Sequence, residues 1–217
     1  MVQQGYIDGL SEQQLLGSLG SRAWVAGVDE AGRGPLAGPV VAAAVILDET
    51  DPVAGLRDSK CLTARQRVRL ARAIRQHSHA FALAFAGPEE IDEINILQAS
   101  LLALERAVLR LRIMPDHVRV DGNQAPVFRG VAREFEVEPV VRGDQSVAAI
   151  SAASILAKVC RARLLRRWHR LYPVYGFDRN KGYPTPGHLS ALEQFGPSPI
   201  HRLSYAPVYR AQEKRRA

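Results

Sequence analysis

Cysteine is scarce in this chain: Cys61 and Cys160 are the only two among 217 residues. No cluster of cysteine and histidine accompanies them, so neither a disulfide framework nor a zinc site is expected. Long apolar runs are missing too. The densest, Val40 to Leu47, is too short to span a membrane. The first twenty residues lack a basic segment followed by an apolar one, so no secretory signal is expected. Internal repeats and low-complexity tracts are absent. These absences exclude a secreted disulfide scaffold and an integral membrane protein. They leave a soluble protein of a reducing, intracellular compartment, expected in the cytoplasm and away from membranes.

What is present is an ordinary globular composition, 47% hydrophobic and 24% charged. The length suits one domain with a sizeable core. Lys plus Arg number 29 against 22 Asp plus Glu, a net charge of +7 that favours a polyanionic partner.

Trp24 to Val28 reads as a buried strand within about 23–29, and Gly38 to Leu47 as a second. Gly34-Pro35 and Gly38-Pro39 between them predict a tight antiparallel hairpin. Ser11 to Leu16 predicts a short leading helix. Thr63 with Gln66 forms a capping box that opens a helix to about Gln76. Ala80 to Ala86 is a third strand. Pro88-Glu89-Glu90 opens one or two helices whose stripe runs from Ile91 to Leu111. His117 to Val120 and Val137 to Val141 are the fourth and fifth strands. A long helix follows, with its apolar stripe running from Val147 to Leu171. Arg163, Arg166, Arg167 and Arg170 share another face of it, expected to be solvated, with nucleic-acid contact as the alternative. Beyond Tyr172 proline and glycine are frequent, and one short helix is expected near His188 to Gln194. A hairpin followed by alternating strands and helices predicts an α/β domain around a mixed sheet.

The chemistry lies where the strands end. Asp29 and Glu30 close the first strand, and Asp121 and Asp144 follow the fourth and fifth. Ligands of open α/β sheets bind at that edge. Singly, Asp121-Gly122-Asn123 also suits a turn and Asp144 also suits a helix cap. Four converging carboxylates repel one another unless cations neutralise them. Two Mg²⁺ or Mn²⁺ ions would do so, because both take oxygen ligands, and would equip the site for in-line phosphoryl transfer. Lys60 and Lys181, in loops near the strand ends, suit phosphate contacts.

The segment Val28-Asp29-Glu30-Ala31-Gly32-Arg33-Gly34-Pro35-Leu36-Ala37-Gly38-Pro39-Val40 resembles the signature of the type 2 ribonuclease H family, specifically its bacterial ribonuclease HII branch. The resemblance continues through Asp58-Ser59-Lys60, Asn95 to Ser100, Asp121-Gly122-Asn123 and Gly143-Asp144. It resumes at Ile150 to Val159 and at Asn180-Lys181-Gly182-Tyr183. Cys61 stands where the family commonly has a second lysine, and Ala162 where it commonly has an acid.

The resemblance implies a ribonuclease H-like mixed sheet flanked by helices, with a C-terminal helical and loop extension. Residues 1–217 would form a single catalytic domain, with a core of about 23–172 and an extension of about 173–217. It implies a monomeric endonuclease that cuts the RNA strand of RNA/DNA hybrids and nicks duplex DNA at embedded ribonucleotides, leaving 3′-hydroxyl and 5′-phosphate ends. Its four metal-binding acids fall on Asp29, Glu30, Asp121 and Asp144. The Gly32-Arg33-Gly34 turn would read the ribose 2′-OH, the group that separates RNA from DNA. Tyr183 would lie against the nucleotide on the DNA side of a junction. A DNA-specific nuclease of the same fold would need no such turn, and a pure nucleic-acid-binding module gains nothing from anions facing phosphates. His188 and His201 are expected to be structural or incidental.

Overall fold

The computed structural model describes residues 23–56, 62–128 and 135–216. Five strands make one sheet: β1 (Val25–Ala31), β2 (Val40–Leu47), β3 (Ser78–Ala86), β4 (His117–Asp121) and β5 (Glu136–Val140). Their spatial order is β3-β2-β1-β4-β5. The β1–β2 and β2–β3 pairs are antiparallel, whereas β1–β4 and β4–β5 are parallel. The expected mixed sheet is therefore present. The β1–β2 connection is not the expected tight hairpin turn, because residues 32–39 leave the sheet as a loop.

Helices α1 (Ala64–His77), α2 (Pro88–Leu109), α3 (Gly143–Ser146) and α4 (Ala148–Leu171) follow the strands. The Thr63 capping box forms as expected, with Thr63 accepting from Gln66 N–H and Gln66 accepting from Thr63 N–H. The sheet divides the core by alternation of side chains. Ala26, Val28, Ala42, Ala44, Val118 and Val120 face α2. Ala43 and Val45 face α1 and α4, meeting Leu70, Ile74, Ala153, Ile155 and Leu156. The first turn of α4 presses against β1, and a Cβ at Gly27 would overlap the backbone of Ala149 and Ile150. Only glycine lets the helix come that close.

The stripe from Ile91 to Leu111 is carried by one element with a break. Asn95 has φ 66° and ψ 166°, and its Oδ1 accepts from the N–H groups of Leu97 and Gln98. Asn95 thus recaps the helix after its backbone leaves it. Leu171, expected on the buried stripe of α4, is instead 66% exposed, because the sheet no longer lies beneath the last turns.

The C-terminal extension has more structure than its proline and glycine suggest. A 3₁₀ turn (Pro173–Tyr175) leads into α5 (Phe177–Asn180), α6 (Pro186–Phe195) and α7 (Ala206–Arg216). Phe177, Leu192, Ile200 and Val208 form a small core of their own against Leu36 and Leu165. The expected leading helix and Lys60 lie outside the described residues. Among the described residues no helix is long and apolar enough to cross a membrane.

Candidate active site

Parallel pairing places Val28 beside Val120 and Val120 beside Pro139. One step further along, Asp29 and Asp121 stand on neighbouring strands, on the face opposite Val28 and Val120. Asp144 comes to the same edge from the first turn of α3, and its N–H donates to Asp121 Oδ1 at 3.2 Å. Asp144 is not the helix cap: Arg142, in a left-handed conformation at φ 57°, takes that position.

Asp29 and Asp144 are only 5% and 4% exposed. Burial first, and then the neighbouring Glu30, push the Asp29 carboxyl up to about 8. Asp121 adds to the rise, while a hydrogen bond from Ser154 and the charge of Lys158 oppose it. Glu30 is also raised, chiefly by burial, with Arg33 opposing and Asp121 adding. Arg33 Nη1 lies 3.6 Å from Glu30 Oε1.

Ser154 and Lys158 form a short relay on α4. The ammonium of Lys158 donates to Ser154 Oγ at 2.6 Å, and the hydroxyl is then free to give its proton to Asp29. All the donors at this edge are hard carboxylate oxygens, and a buried acid raised so far lacks compensating positive charge. That chemistry fits a divalent cation of the Mg²⁺ type. No three of these side chains, among the described residues, already close around one point. Mutual repulsion of uncompensated carboxylates favours such a spread.

The Gly32–Gly34 loop is shaped by two buried arginines. Arg161 donates from Nε to Pro39 O at 3.1 Å, from Nη2 to Ala37 O at 2.9 Å and from Nη1 to Lys181 O at 2.8 Å. Arg202 donates from Nε to Gly38 O at 2.9 Å, from Nη1 to Arg33 O at 2.8 Å and from Nη2 to Gly32 O at 2.5 Å. Tyr205 Oη donates to Arg33 O at 2.7 Å. Burial lowers Arg161 to about 10 and also lowers Arg202, yet a guanidinium at 10 stays charged at neutral pH. Gly32 has φ 106°, and a Cβ there would overlap the Arg161 guanidinium. In a trans peptide the N–H opposes the C=O. With the Gly32 and Arg33 carbonyls turned to Arg202, the N–H groups of Arg33 and Gly34 turn the other way.

Tyr183 is half exposed, and its ring edge lies 3.5 Å from where a Cβ on Gly34 would be. Its loop is sewn to the Gly-Arg-Gly loop, since Leu36 N–H donates to Gly182 O at 2.7 Å. Behind it sits a buried histidine pair. Ser198 N–H donates to His201 Nδ1 at 2.9 Å, which fixes the His201 proton on Nε2. His201 Nε2 then donates to His188 Nε2 at 2.9 Å, and His188 Nδ1 donates to Tyr183 O at 2.8 Å. Burial lowers both, His201 to about 3 with His188 adding to the fall. The pair holds the backbone beneath Tyr183. Lys181 directs its ammonium to Asp178 O, and burial lowers its pKa, with Arg166 adding. A groove of about 900 Å³ joins Glu30 and Gly32 to Arg65, Lys158, Arg166 and Tyr183.

One edge of the sheet thus gathers Asp29, Glu30, Asp121, Asp144, Gly32, Arg33, Gly34, Lys181 and Tyr183. Sequence reasoning missed Arg161, Arg202, Ser154 and Lys158, and named His188 and His201 as structural or incidental without pairing them. A signal existed for Arg161, which lies four residues from both Ala157 and Leu165 and so falls on the buried face of α4.

A mixed sheet with carboxylates at adjacent strand ends suits metal-assisted chemistry on a phosphodiester. The ribonuclease HII family model matches residues 26–208. The chain is 58% identical over 187 residues to ribonuclease HII of Acidovorax sp. strain JS42, covering 86% of this chain and 87% of that one. It is 54% identical over 200 residues to ribonuclease HII of Bordetella pertussis, covering 92% and 97%. Its structure matches ribonuclease H2 of Pyrococcus horikoshii OT3 with a TM-score of 0.76 at 31% identity, over 88% of this chain and 98% of that one. The chain belongs to the ribonuclease HII family and is a ribonuclease H-type hydrolase, an activity directed at RNA/DNA hybrids.

Proposed function

We propose that this enzyme cuts the RNA strand of hybrids and also nicks duplex DNA at single embedded ribonucleotides, leaving 3′-hydroxyl and 5′-phosphate ends. The observation that carries this reading is the adjacency of the acidic edge to a loop whose carbonyls are occupied by Arg202. Asp29, Glu30, Asp121 and Asp144 would hold two Mg²⁺ or Mn²⁺ ions. Such ions supply water activation and charge neutralisation at the phosphate.

The protein's own groups do the rest. The outward N–H groups of Arg33 and Gly34 donate to a ribose 2′-OH, which a deoxyribose lacks. Ser154 and Lys158 keep Asp29 oriented toward the edge. Tyr183 offers a flat face to the nucleotide following the ribose, where a 2′-OH would collide with the ring. Lys181 binds a phosphate and sets position without reading sequence. Lys60 is assigned the same role from its place in the sequence. The protein acts as a monomer in the cytoplasm.

One assay tests this reading. A duplex with one ribonucleotide and an all-DNA duplex are incubated with Mg²⁺ present or chelated. Cutting only of the first, and only with metal, is expected. Cutting of the all-DNA duplex would favour a DNA nuclease, and binding without cutting would favour a non-catalytic module.

A further inference from the structure

Two stretches of the chain, residues 59–88 and 145–177, contain no Asp or Glu but hold twelve of the 29 Lys and Arg. The rest of the chain carries 17 basic residues against all 22 acids, so the net positive charge comes wholly from these stretches. The first includes α1 and the second α4, and the two helices pack together over the same face of the sheet.

On α1, Arg65, Arg69 and Arg72 recur at spacings of four and three and are all exposed. No ion pair or hydrogen bond within the described residues engages them. The surface they line is continuous with the nuclease groove. That groove shares Arg65 and Val68 with a shallow depression along α1. The depression in turn shares Arg69 and Arg72 with a third that ends at Arg75 and Gln76. The two arginine faces also meet: Cys160, whose thiol burial pushes up, lies in the fields of Arg75 from α1 and Arg163 from α4.

Like charges at helical neighbour spacing destabilise a helix, so an unpaired stripe costs stability until an anion covers it. From Arg65 to Arg72 the stripe rises about 10 Å, and duplex DNA offers a phosphate charge every ~1.7 Å along its axis.

We propose that the exposed arginine face of α1, continued by Arg163 and Arg166 of α4, is a second nucleic-acid contact. It binds the phosphates of the duplex arm flanking the cut, without regard to sugar or sequence. The proposal rests on the reading of the groove as the nuclease site. It adds a tether that holds the enzyme on long duplexes.

The test replaces Arg65, Arg69 and Arg72 together by Gln, and separately by Lys. These side chains are exposed, so the Gln variant is expected to keep or slightly raise the thermal midpoint. Binding is measured with metal chelated, across a salt series, on duplexes of about 30 and about 8 base pairs with and without one ribonucleotide. The Gln variant should lower the log–log salt slope by about 2–3 on both long duplexes and leave the short ones unchanged, since each phosphate contact adds about 0.9. The Lys variant should keep the parental slope.

An unchanged slope on the long duplexes would overturn the proposal, as would an equal loss on long and short. Loss of binding to anionic lipid vesicles with duplex binding intact would assign the face to a membrane surface instead. Because binding is read without cleavage, failure of the nuclease reading would show separately, as a parent enzyme that leaves the ribonucleotide uncut.

Discussion

Arg161 and Arg202 are buried cations with every guanidinium nitrogen donated to the protein's own oxygen atoms. Just before Gly32 in the chain, the buried Asp29 and the half-buried Glu30 have carboxyls driven upward chiefly by burial, with neighbouring acids adding to the rise. The two arrangements begin from the same penalty for burying charge. In the arginine cradle the penalty is offset internally, and the result is a fixed loop. At the acidic edge Ser154, Lys158 and Arg33 offset only part of it, and the remainder is available to a cation from outside. Completeness marks the scaffold, and shortfall marks the working site.

The largest effect expected from breaking this contrast is on the acidic side. Asp121→Asn keeps the shape and removes the charge, and should lower the cleavage rate at least about a thousandfold, because metal-assisted stabilisation supplies several kcal/mol of the barrier. A rate within tenfold of the parent at saturating Mg²⁺ would remove Asp121 from the metal site. The same experiment should leave the circular dichroism spectrum unaltered.

On the arginine side the loss should appear as stability. Arg202→Met strips the donor from the carbonyls of Gly32, Arg33 and Gly38, and should cost about 3–5 kcal/mol in urea unfolding. Arg202→Lys should recover little of it, because an ammonium cannot reproduce a planar fork. If the Met variant unfolds like the parent, the cradle is dispensable.

A pH series sharpens the comparison further. The folded pKa of His201 lies below its unfolded value, so its share of stability is complete above about pH 6.5 and declines as pH falls toward about 3. Between pH 7 and pH 5 the decline is about 2 kcal/mol. Without divalent metal, Asp29 acts in the opposite sense, since its raised pKa favours the fold at low pH. Comparing the parent with His201→Gln isolates the histidine contribution: the variant should lack that decline. An identical pH dependence in both proteins would mean that the pair is protonated when folded.

The smallest effect should be the most selective. Tyr183→Ala should cost about 1–2 kcal/mol in kcat/KM at a single embedded ribonucleotide, the range of ring–base stacking. The loss on a continuous RNA/DNA hybrid should be smaller, because there the following sugar is a ribose. Equal losses on the two substrates would make Tyr183 a packing residue.

Much of this architecture could be read in the chain. Unbroken apolar runs marked β2 and β3, and the Thr63 capping box marked α1, since local signals and tertiary packing agree there. The four acids could be placed because strand ends in α/β sheets carry ligands. The β1–β2 loop could not: Gly-Pro punctuation suggests a tight turn, and nothing local announces that Arg161 and Arg202 will reach in from afar. The pairing of the two histidines was illegible for the same reason, although a structural role for each was among the expectations. His188 and His201 are thirteen residues apart, and each looks incidental until α6 and the loop before α7 fold together. The helix α7 was hidden by charge, because its eleven residues bury only Val208 and Ala211.

The bonds from Arg202 to Gly32 and Arg33 span 170 and 169 positions of the chain. During synthesis the acids and every strand of the sheet leave the ribosome well before residue 202. The loop beside them cannot be pinned until that residue emerges. Closure over such a separation is entropically slow and comes late in folding. The geometry of the Gly32–Gly34 loop is therefore coupled to completion of the polypeptide. A chain cut short before Arg202 carries its carboxylates without the clamp that fixes the loop beside them.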